Sequence, residues 1–321
     1  MSEADRYGHI FKSAEAYRAD PEYSERRWVV EDFLPESYVA ILAGATKSGK
    51  SCLATNLAVA VTLGEPFLEH RTVKAPVLWV ACEESHEERS IALDAYPGLK
   101  PTLYITHRKL PIDLPDGIRV IRWWVRNTGA KLIVIDSLFS AVGAATLSDG
   151  HGARLALEGL KALCRDERCA ALVLHHMIKD TSFGLVRERI AESTQILAAA
   201  SMDLMMDVDR KGDGSREIWL RGHGRGDFAN KVWLIASPDV ARYDLVAHGD
   251  ETVVGAQRSY EAMLKRLRGA ETPVSAEDLA AAVNLNPKTV RNRLTELVRL
   301  GQVVAVGAAG KSNLYAVAES G

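Results

Sequence analysis

Residues Gly44-Ala45-Thr46-Lys47-Ser48-Gly49-Lys50-Ser51 complete a G-x-x-x-x-G-K-[ST] series, and the chemistry of that spacing is phosphate binding. Backbone N–H groups of such a loop, continued by the N-terminus of the next helix, form an anion nest for a β-phosphate. In this arrangement Lys50 brings a point charge to the β- and γ-phosphates, and the Ser51 hydroxyl is a ligand for Mg²⁺. Cys52 is the last residue of the run expected against the nucleotide. The pattern therefore implies ATP and Mg²⁺.

Three further groups have the chemistry to complete such a site. Asp136 closes the apolar run Leu132-Ile133-Val134-Ile135. A carboxylate at the carboxyl end of a parallel strand faces the nucleotide crevice and holds Mg²⁺ through water. Ser137 follows it, so no glutamate stands directly after that aspartate and the base must come from elsewhere. Glu83 and Glu84 end the run Val77 to Cys82, where a carboxylate can orient an attacking water. His175 and His176 end another apolar run, a place for a polar group that senses the γ-phosphate. Their spacing to cysteines and carboxylates does not suit zinc.

These groups need a scaffold that brings strand ends together. Tyr38 to Ala43 reads as a buried strand, Ser51 to Leu63 as a helix, and Pro76 to Cys82 as a second strand. Gly117 to Asn127 predicts a helix, Leu132 to Ile135 a third strand, Leu155 to Asp166 a helix, and Ala171 to Leu174 a fourth strand. Continuous apolar runs between helices predict an α/β fold with a mostly parallel sheet covered on both faces. Leu204 to Val208, Glu217 to Arg221 and Val232 to Ala236 read as later, antiparallel strands. A composition change at His248-Gly249-Asp250-Glu251 predicts a second, small domain. It contains helices over Tyr260 to Leu267, Ala276 to Val283 and Pro287 to Leu300, then a strand pair over Val303 to Val306 and Leu314 to Val317. The expected domains are an arm over 1–27 with weak helical character at Phe11 to Arg18, an ATPase domain over 28–250, and a C-terminal domain over 258–321.

Composition narrows the classes. With 47% hydrophobic and 26% charged residues, the 321-residue chain is globular. Its net charge of -2 excludes coating nucleic acid by bulk charge, so any DNA contact needs local basic patches. The N-terminus lacks the apolar region of a signal peptide, and no apolar run reaches membrane-spanning length. Cys52, Cys82, Cys164 and Cys169 have neither disulfide-scaffold density nor zinc spacing, and Cys52 and Cys82 read as reduced core thiols. A cytoplasmic protein with no membrane partner is expected.

The order Trp28-Val29-Val30 to Leu34-Pro35, the phosphate loop, Gly64-Glu65-Pro66-Phe67-Leu68, Val77 to Glu84, Leu132 to Asp136 and Leu174-His175-His176-Met177-Ile178-Lys179 resembles a known family. It is similar to the RecA-like ATPases of the RepA type, close to DnaB-type hexameric helicases, over roughly Trp28 to Pro238. Lys47 is not beside the first glycine, unlike the extra lysine of partitioning ATPases. The resemblance implies a ring, usually hexameric, with ATP between neighbours, Glu83 as catalytic glutamate and His176 as γ-phosphate sensor. It further implies an arginine finger in Gly222-His223-Gly224-Arg225-Gly226-Asp227, where Arg225 keeps the arginine. His223 stands where a lysine is expected, with Arg221 as a substitute. The loop Asp180 to Ser193, with Lys179, Arg187, Arg189 and Phe183, would face single-stranded DNA in the ring channel.

The C-terminal segment is similar to a winged helix-turn-helix. Asn286 as N-cap and Pro287 at the first position start its third helix. Val290, Leu294 and Leu297 face inward, leaving Lys288, Thr289, Arg291 and Asn292 for a major groove. From Arg258 onward nine Lys and Arg stand against six Asp and Glu, which permits duplex binding. Winged helices also dock proteins. Three functions remain open: a ring-shaped DNA motor or helicase-like ATPase of replication, repair or a mobile element, with partner proteins of those systems; an ATP-switched DNA-binding regulator; and a protein-loading ATPase without unwinding activity.

Overall fold

The computed structural model describes residues 12–20, 26–96, 102–142, 151–176, 196, 199–210, 216–224, 231–237, 243–249, 251–309 and 312–318. The first part runs α1 (Ala14–Ala19), β1 (Trp28–Val30), β2 (Leu34–Pro35), β3 (Val39–Gly44), α2 (Lys50–Leu63), β4 (Val77–Ala81), α3 (His86–Asp94), β5 (Leu103–Thr106), α4 (Pro115–Thr128), β6 (Leu132–Asp136), α5 (Leu138–Ala141), α6 (His151–Glu167) and β7 (Ala170–His176). Then follow β8 (Met202–Arg210), β9 (Arg216–Gly224), β10 (Lys231–Ser237) and β11 (Asp244–Gly249). The last part is α7 (Glu251–Arg268), β12 (Val274–Ser275), α8 (Ala276–Ala282), α9 (Pro287–Arg299), β13 (Val303–Ala309) and β14 (Ser312–Val317).

The main sheet has nine strands in the order β11-β10-β9-β8-β3-β7-β6-β4-β5. From β8 across to β5 every neighbouring pair is parallel. The loop-bearing β3 is flanked by β7 and β8, and one strand, β7, separates it from β6. All residues of β3, β4 and β6 are buried, the mark of a sheet covered on both faces. On one face Ile133, Ile135, Leu78 and Val80 pack with Ile121 and Val125 of α4 and Leu157, Leu160 and Leu163 of α6. Pro115 opens α4 and Gly129, in the left-handed region at φ 72°, closes it. This is the RecA-like P-loop architecture.

Compactness divides the chain into Met1–Ala229 with Ile235–Leu245, and Asn230–Leu234 with Val246–Gly321. The second unit has its own core of Met263, Leu267, Leu279, Val290, Leu294, Leu297 and Val303. Its small antiparallel sheet has the order β12-β14-β13. The Asn286 side chain accepts from the Lys288 N–H at 2.9 Å, capping α9.

Several expectations need correction. β8 is parallel to β3, and the antiparallel turn of the sheet comes only at the β8–β9 pair. Strand direction depends on how the chain crosses over, which composition does not encode. The helix expected from Tyr260 begins at Glu251, and the one expected from Phe11 to Arg18 is the short α1, capped by Ser13. Cys52 and Cys82 are half-buried, whereas Cys164 and Cys169 are the enclosed thiols. Among the described residues no helix is long and apolar enough to cross a membrane.

Candidate functional site

The loop between β3 and α2 is fixed at two glycines. A Cβ on Gly44 would lie 2.8 Å from the Met206 carbonyl oxygen, and one on Gly49 only 2.4 Å from the Tyr243 hydroxyl. Gly49 also has φ 102°, a conformation glycine adopts without steric cost. Lys50 is buried, its Nζ donating to the carbonyls of Gly44 at 3.0 Å and Ala45 at 2.9 Å. Burial pushes its pKa down to about 8, against the opposing charges of Asp136 and Glu83.

Asp136 ends β6 beside Ala81 of β4, and its peptide bond to Ser137 is cis. Its carboxyl is 3% exposed and pushed up to about 6 by burial, which the Ser51 hydrogen bond opposes. Asp136 Oδ2 is enclosed with no hydrogen-bond partner. A buried carboxylate oxygen left unpaired next to a serine hydroxyl fits a hydrated Mg²⁺, which would satisfy both. Ser51 and Asp136 are thus suited to the metal expected of them.

The two glutamates after β4 part ways. Glu84 forms an ion pair with Arg89, whose guanidinium is 3% exposed, lies 4.0 Å from the centroid of Trp79 and donates to Thr55 Oγ1 at 2.9 Å. Glu83 instead turns toward β6 and β7. Its Oε1 accepts from the hydroxyls of Ser137 and, at 3.1 Å, Ser140; its Oε2 is 3.0 Å from His176 Nε2. Burial pushes the Glu83 pKa up, yet the hydrogen bonds from Ser137, His176 and Ser140 and the His176 charge outweigh it, leaving the carboxyl below its ordinary value. These bonds favour the ionised form of Glu83, whose charge is felt by Lys50 and Asp136.

β7 runs beside β3, with Ala43 opposite His175 and Gly44 opposite His176. The pair differ in environment. Burial, aided by the charges of His176 and Lys50, holds His175 down at about 4, so it is neutral at physiological pH. His176, half-exposed, reaches Glu83.

The candidates for a second cation acting across an interface are both engaged within the chain. His223 Nδ1 is 3.0 Å from Oδ2 of the buried Asp203, and Arg221 Nη1 donates to Asp207 at 2.8 Å. Arg225, Lys179, Phe183, Arg187 and Arg189 lie outside the described residues. In the second unit Lys288, Arg291 and Asn292 are exposed on α9, Thr289 is half-buried, and Arg291 pairs with Glu277 at 3.1 Å.

Sequence reasoning missed the supports. Tyr243 donates its hydroxyl to the Gly49 carbonyl at 3.1 Å, and its N–H reaches Asn56 Oδ1 at 3.3 Å. Asn56 Nδ2 in turn donates to the Tyr96 hydroxyl at 2.7 Å. Burial pushes the Tyr243 hydroxyl far above its usual pKa, so it stays a neutral donor. Arg89, Ser137 and Ser140 were equally unforeseen; only the helix-start signature Ser85-x-x-Glu88, which places α3, is readable locally.

A phosphate loop, a metal-suited aspartate and a polarised glutamate at the carboxyl ends of a parallel sheet define a RecA-like P-loop ATPase. More particularly, the chain belongs to the AAA domain family, whose model matches residues 6–182. Among curated proteins none matches the chain. A solved structure similar to it is the KaiC-like protein PH0186 from the hyperthermophilic archaeon Pyrococcus horikoshii OT3, at 16% identity and TM-score 0.48, covering 70% of this chain and 99% of that one.

Proposed function

We propose that this ATPase is a ring-forming DNA motor or helicase-like ATPase of replication, repair or a mobile element, in the RepA and DnaB-type group. The observation that carries this reading is the 3.0 Å contact between Glu83 and His176. It joins the carboxylate suited to orient water with the last residue of β7, from which the chain continues into the basic segment Lys179 to Arg189. Bound Mg²⁺ supplies neutralisation of charge on the triphosphate. Lys50 and the loop N–H groups orient the phosphates, Ser51 and Asp136 hold the metal, and Glu83 orients and deprotonates the attacking water. His176 senses the γ-phosphate and, through Glu83, couples its loss to the segment beyond β7. Arg225 acts on a neighbour's nucleotide, since Arg221 and His223 are engaged at home.

The test is the ATPase rate with and without single-stranded DNA, alongside mass measurement with ATP. Stimulation by DNA in a multimer supports the motor. A monomer that hydrolyses at full rate and ignores both DNA and Arg225→Ala sinks it. In mixtures of Arg225→Ala with Lys50→Ala subunits, partial recovery of turnover is expected, because some interfaces pair an intact loop with an intact finger.

The C-terminal unit is proposed as a winged helix over 258–321, with the ATPase domain over 28–250 and an N-terminal arm over 1–27. Lys288, Thr289, Arg291 and Asn292 are its duplex-facing residues. One observation favours the alternative of a protein-loading ATPase without unwinding activity over the ATP-switched DNA-binding regulator. The wing strand β13 carries exposed Val304 and Val306 and no charged residue, a surface suited to a protein.

A further inference from the structure

We propose that Ser140, on the short helix α5, is a positioning residue that steers the Glu83 carboxylate toward the attacking water. The inference rests on Glu83 being the base. A carboxylate on a flexible three-bond stem has many rotamers, and general-base catalysis needs one oxygen aimed at the water. Glu83 is held from two sides. Ser137, at the β6–α5 turn, and Ser140, one helical turn on, both donate to Oε1, so that oxygen is occupied and the plane of the carboxylate is set. Oε2 remains on the side of His176. Oε2, which carries the His176 contact alone where Oε1 accepts from two hydroxyls, is thus the oxygen with lone-pair capacity left to take the proton from water, and the two hydroxyls keep it turned that way.

The two serines are not equivalent. Ser137 is wholly buried and directly follows Asp136, so changing it disturbs the metal ligand as well. Ser140 is in a different position. Its neighbours Leu138 and Ala141 are buried and anchor α5, and the Ala141 carbonyl accepts from the Ile112 N–H at 2.9 Å, so the helix is fixed without help from the Ser140 hydroxyl. The hydroxyl therefore has the Glu83 carboxylate as its use, and removing it leaves the fold of α5 in place. Two carboxylate–hydroxyl bonds to the charged form also favour ionisation, keeping the base unprotonated.

The experiment is a double-mutant cycle on the full chain, read by steady-state and single-turnover ATP hydrolysis. Ser140→Ala is expected to lower kcat roughly tenfold with KM for ATP unchanged, as for one lost hydrogen bond to a charged group. Ser140→Thr, which keeps the hydroxyl, is expected to restore most of the rate. In the Glu83→Gln background, Ser140→Ala is expected to change the residual rate by less than about twofold, because the group it steers is gone. Equal losses in both backgrounds, or a loss that Thr does not rescue, overturn the proposal and make Ser140 a general support of the fold. Wild-type kcat in Ser140→Ala overturns it outright. Failure of the underlying reading looks different: Glu83→Gln itself then hydrolyses ATP at the wild-type rate, whatever Ser140 does.

Discussion

The two units of the chain use their charged residues in opposite ways. In the first, Lys50, Asp136, Arg89 and Asp203 are all buried, and each is held by named partners or by the charge of its neighbours. In the second, Lys288, Arg291 and Arg299 are exposed and Glu296 is half-buried, and the core around α8 and α9 is aliphatic apart from Met263. A buried charge is tolerated only where geometry compensates its lost hydration, so each of these four is fixed in place by its surroundings. An exposed charge, even one paired at the surface as Arg291 is with Glu277 and Arg299 with Glu296, contributes little to stability. The contrast teaches that effects of mutation in the first unit should be large and specific to one step, and in the second small and confined to binding.

The strongest attempt to break this contrast is Lys50→Ala. Loss of the principal cation of the phosphate nest is expected to reduce ATP turnover by at least roughly a thousandfold, measured as phosphate release. Wild-type turnover in this variant would remove the phosphate loop from the account.

Next in size is the comparison of the paired glutamates. Glu83→Gln should retain nucleotide binding and lose hydrolysis by roughly a hundredfold or more. Glu84→Gln should instead lower the melting temperature, since it leaves the Arg89 guanidinium buried beside a neutral group, with a far smaller effect on kcat. The reverse pattern would transfer the base to Glu84.

Asp136 sharpens the contrast through pH. Its carboxyl titrates at about 6 in the fold against 3.8 ordinarily, so burial of the ionised form costs stability above about pH 6, and the cost fades as pH falls toward 3.8. Asp136→Asn in the nucleotide-free protein should therefore raise the melting temperature at pH 7.5, with the gain shrinking below pH 5. In the wild type, Mg²⁺-dependent nucleotide binding should weaken as pH drops through about 6, because the protonated acid no longer ligates metal.

The smallest effect belongs to the second unit. Lys288→Ala and Asn292→Ala should each weaken duplex DNA binding several-fold in a fluorescence titration, with unstimulated ATPase rates unchanged. Unaltered binding in both variants would favour a protein as the partner of α9 and β13.

How much of this was readable in advance follows physical lines. The phosphate loop, Asp136 and the buried strands were legible because their signals are local: glycines at fixed offsets and apolar runs ending in a carboxylate. The choice of Glu83 over Glu84 rests on resemblance, and the different surroundings of the two carboxylates, with Glu84 paired to Arg89 of α3, are not readable locally. The direction of β8 was misread because a strand's composition is the same whichever way it runs. The strand β5 is short and only half-buried and α5 is a single turn, so neither carries a periodic signal in the sequence. Ser137 and Ser140 matter through a partner more than fifty residues away, which no spacing rule reaches.

The contact of Tyr243 with Gly49 spans 194 residues and ties the loop to the far end of the sheet. Its consequence lies in biogenesis. During synthesis the loop, β3 and α2 leave the ribosome long before Tyr243 does, so the young chain carries a phosphate nest without its brace. Closing so long a stretch is slow compared with forming the local helix, and domains complete only when their distant pieces arrive. A nascent chain that has not yet reached residue 243 carries the phosphate loop without this hydrogen bond, and the brace arrives with the last strands of the sheet.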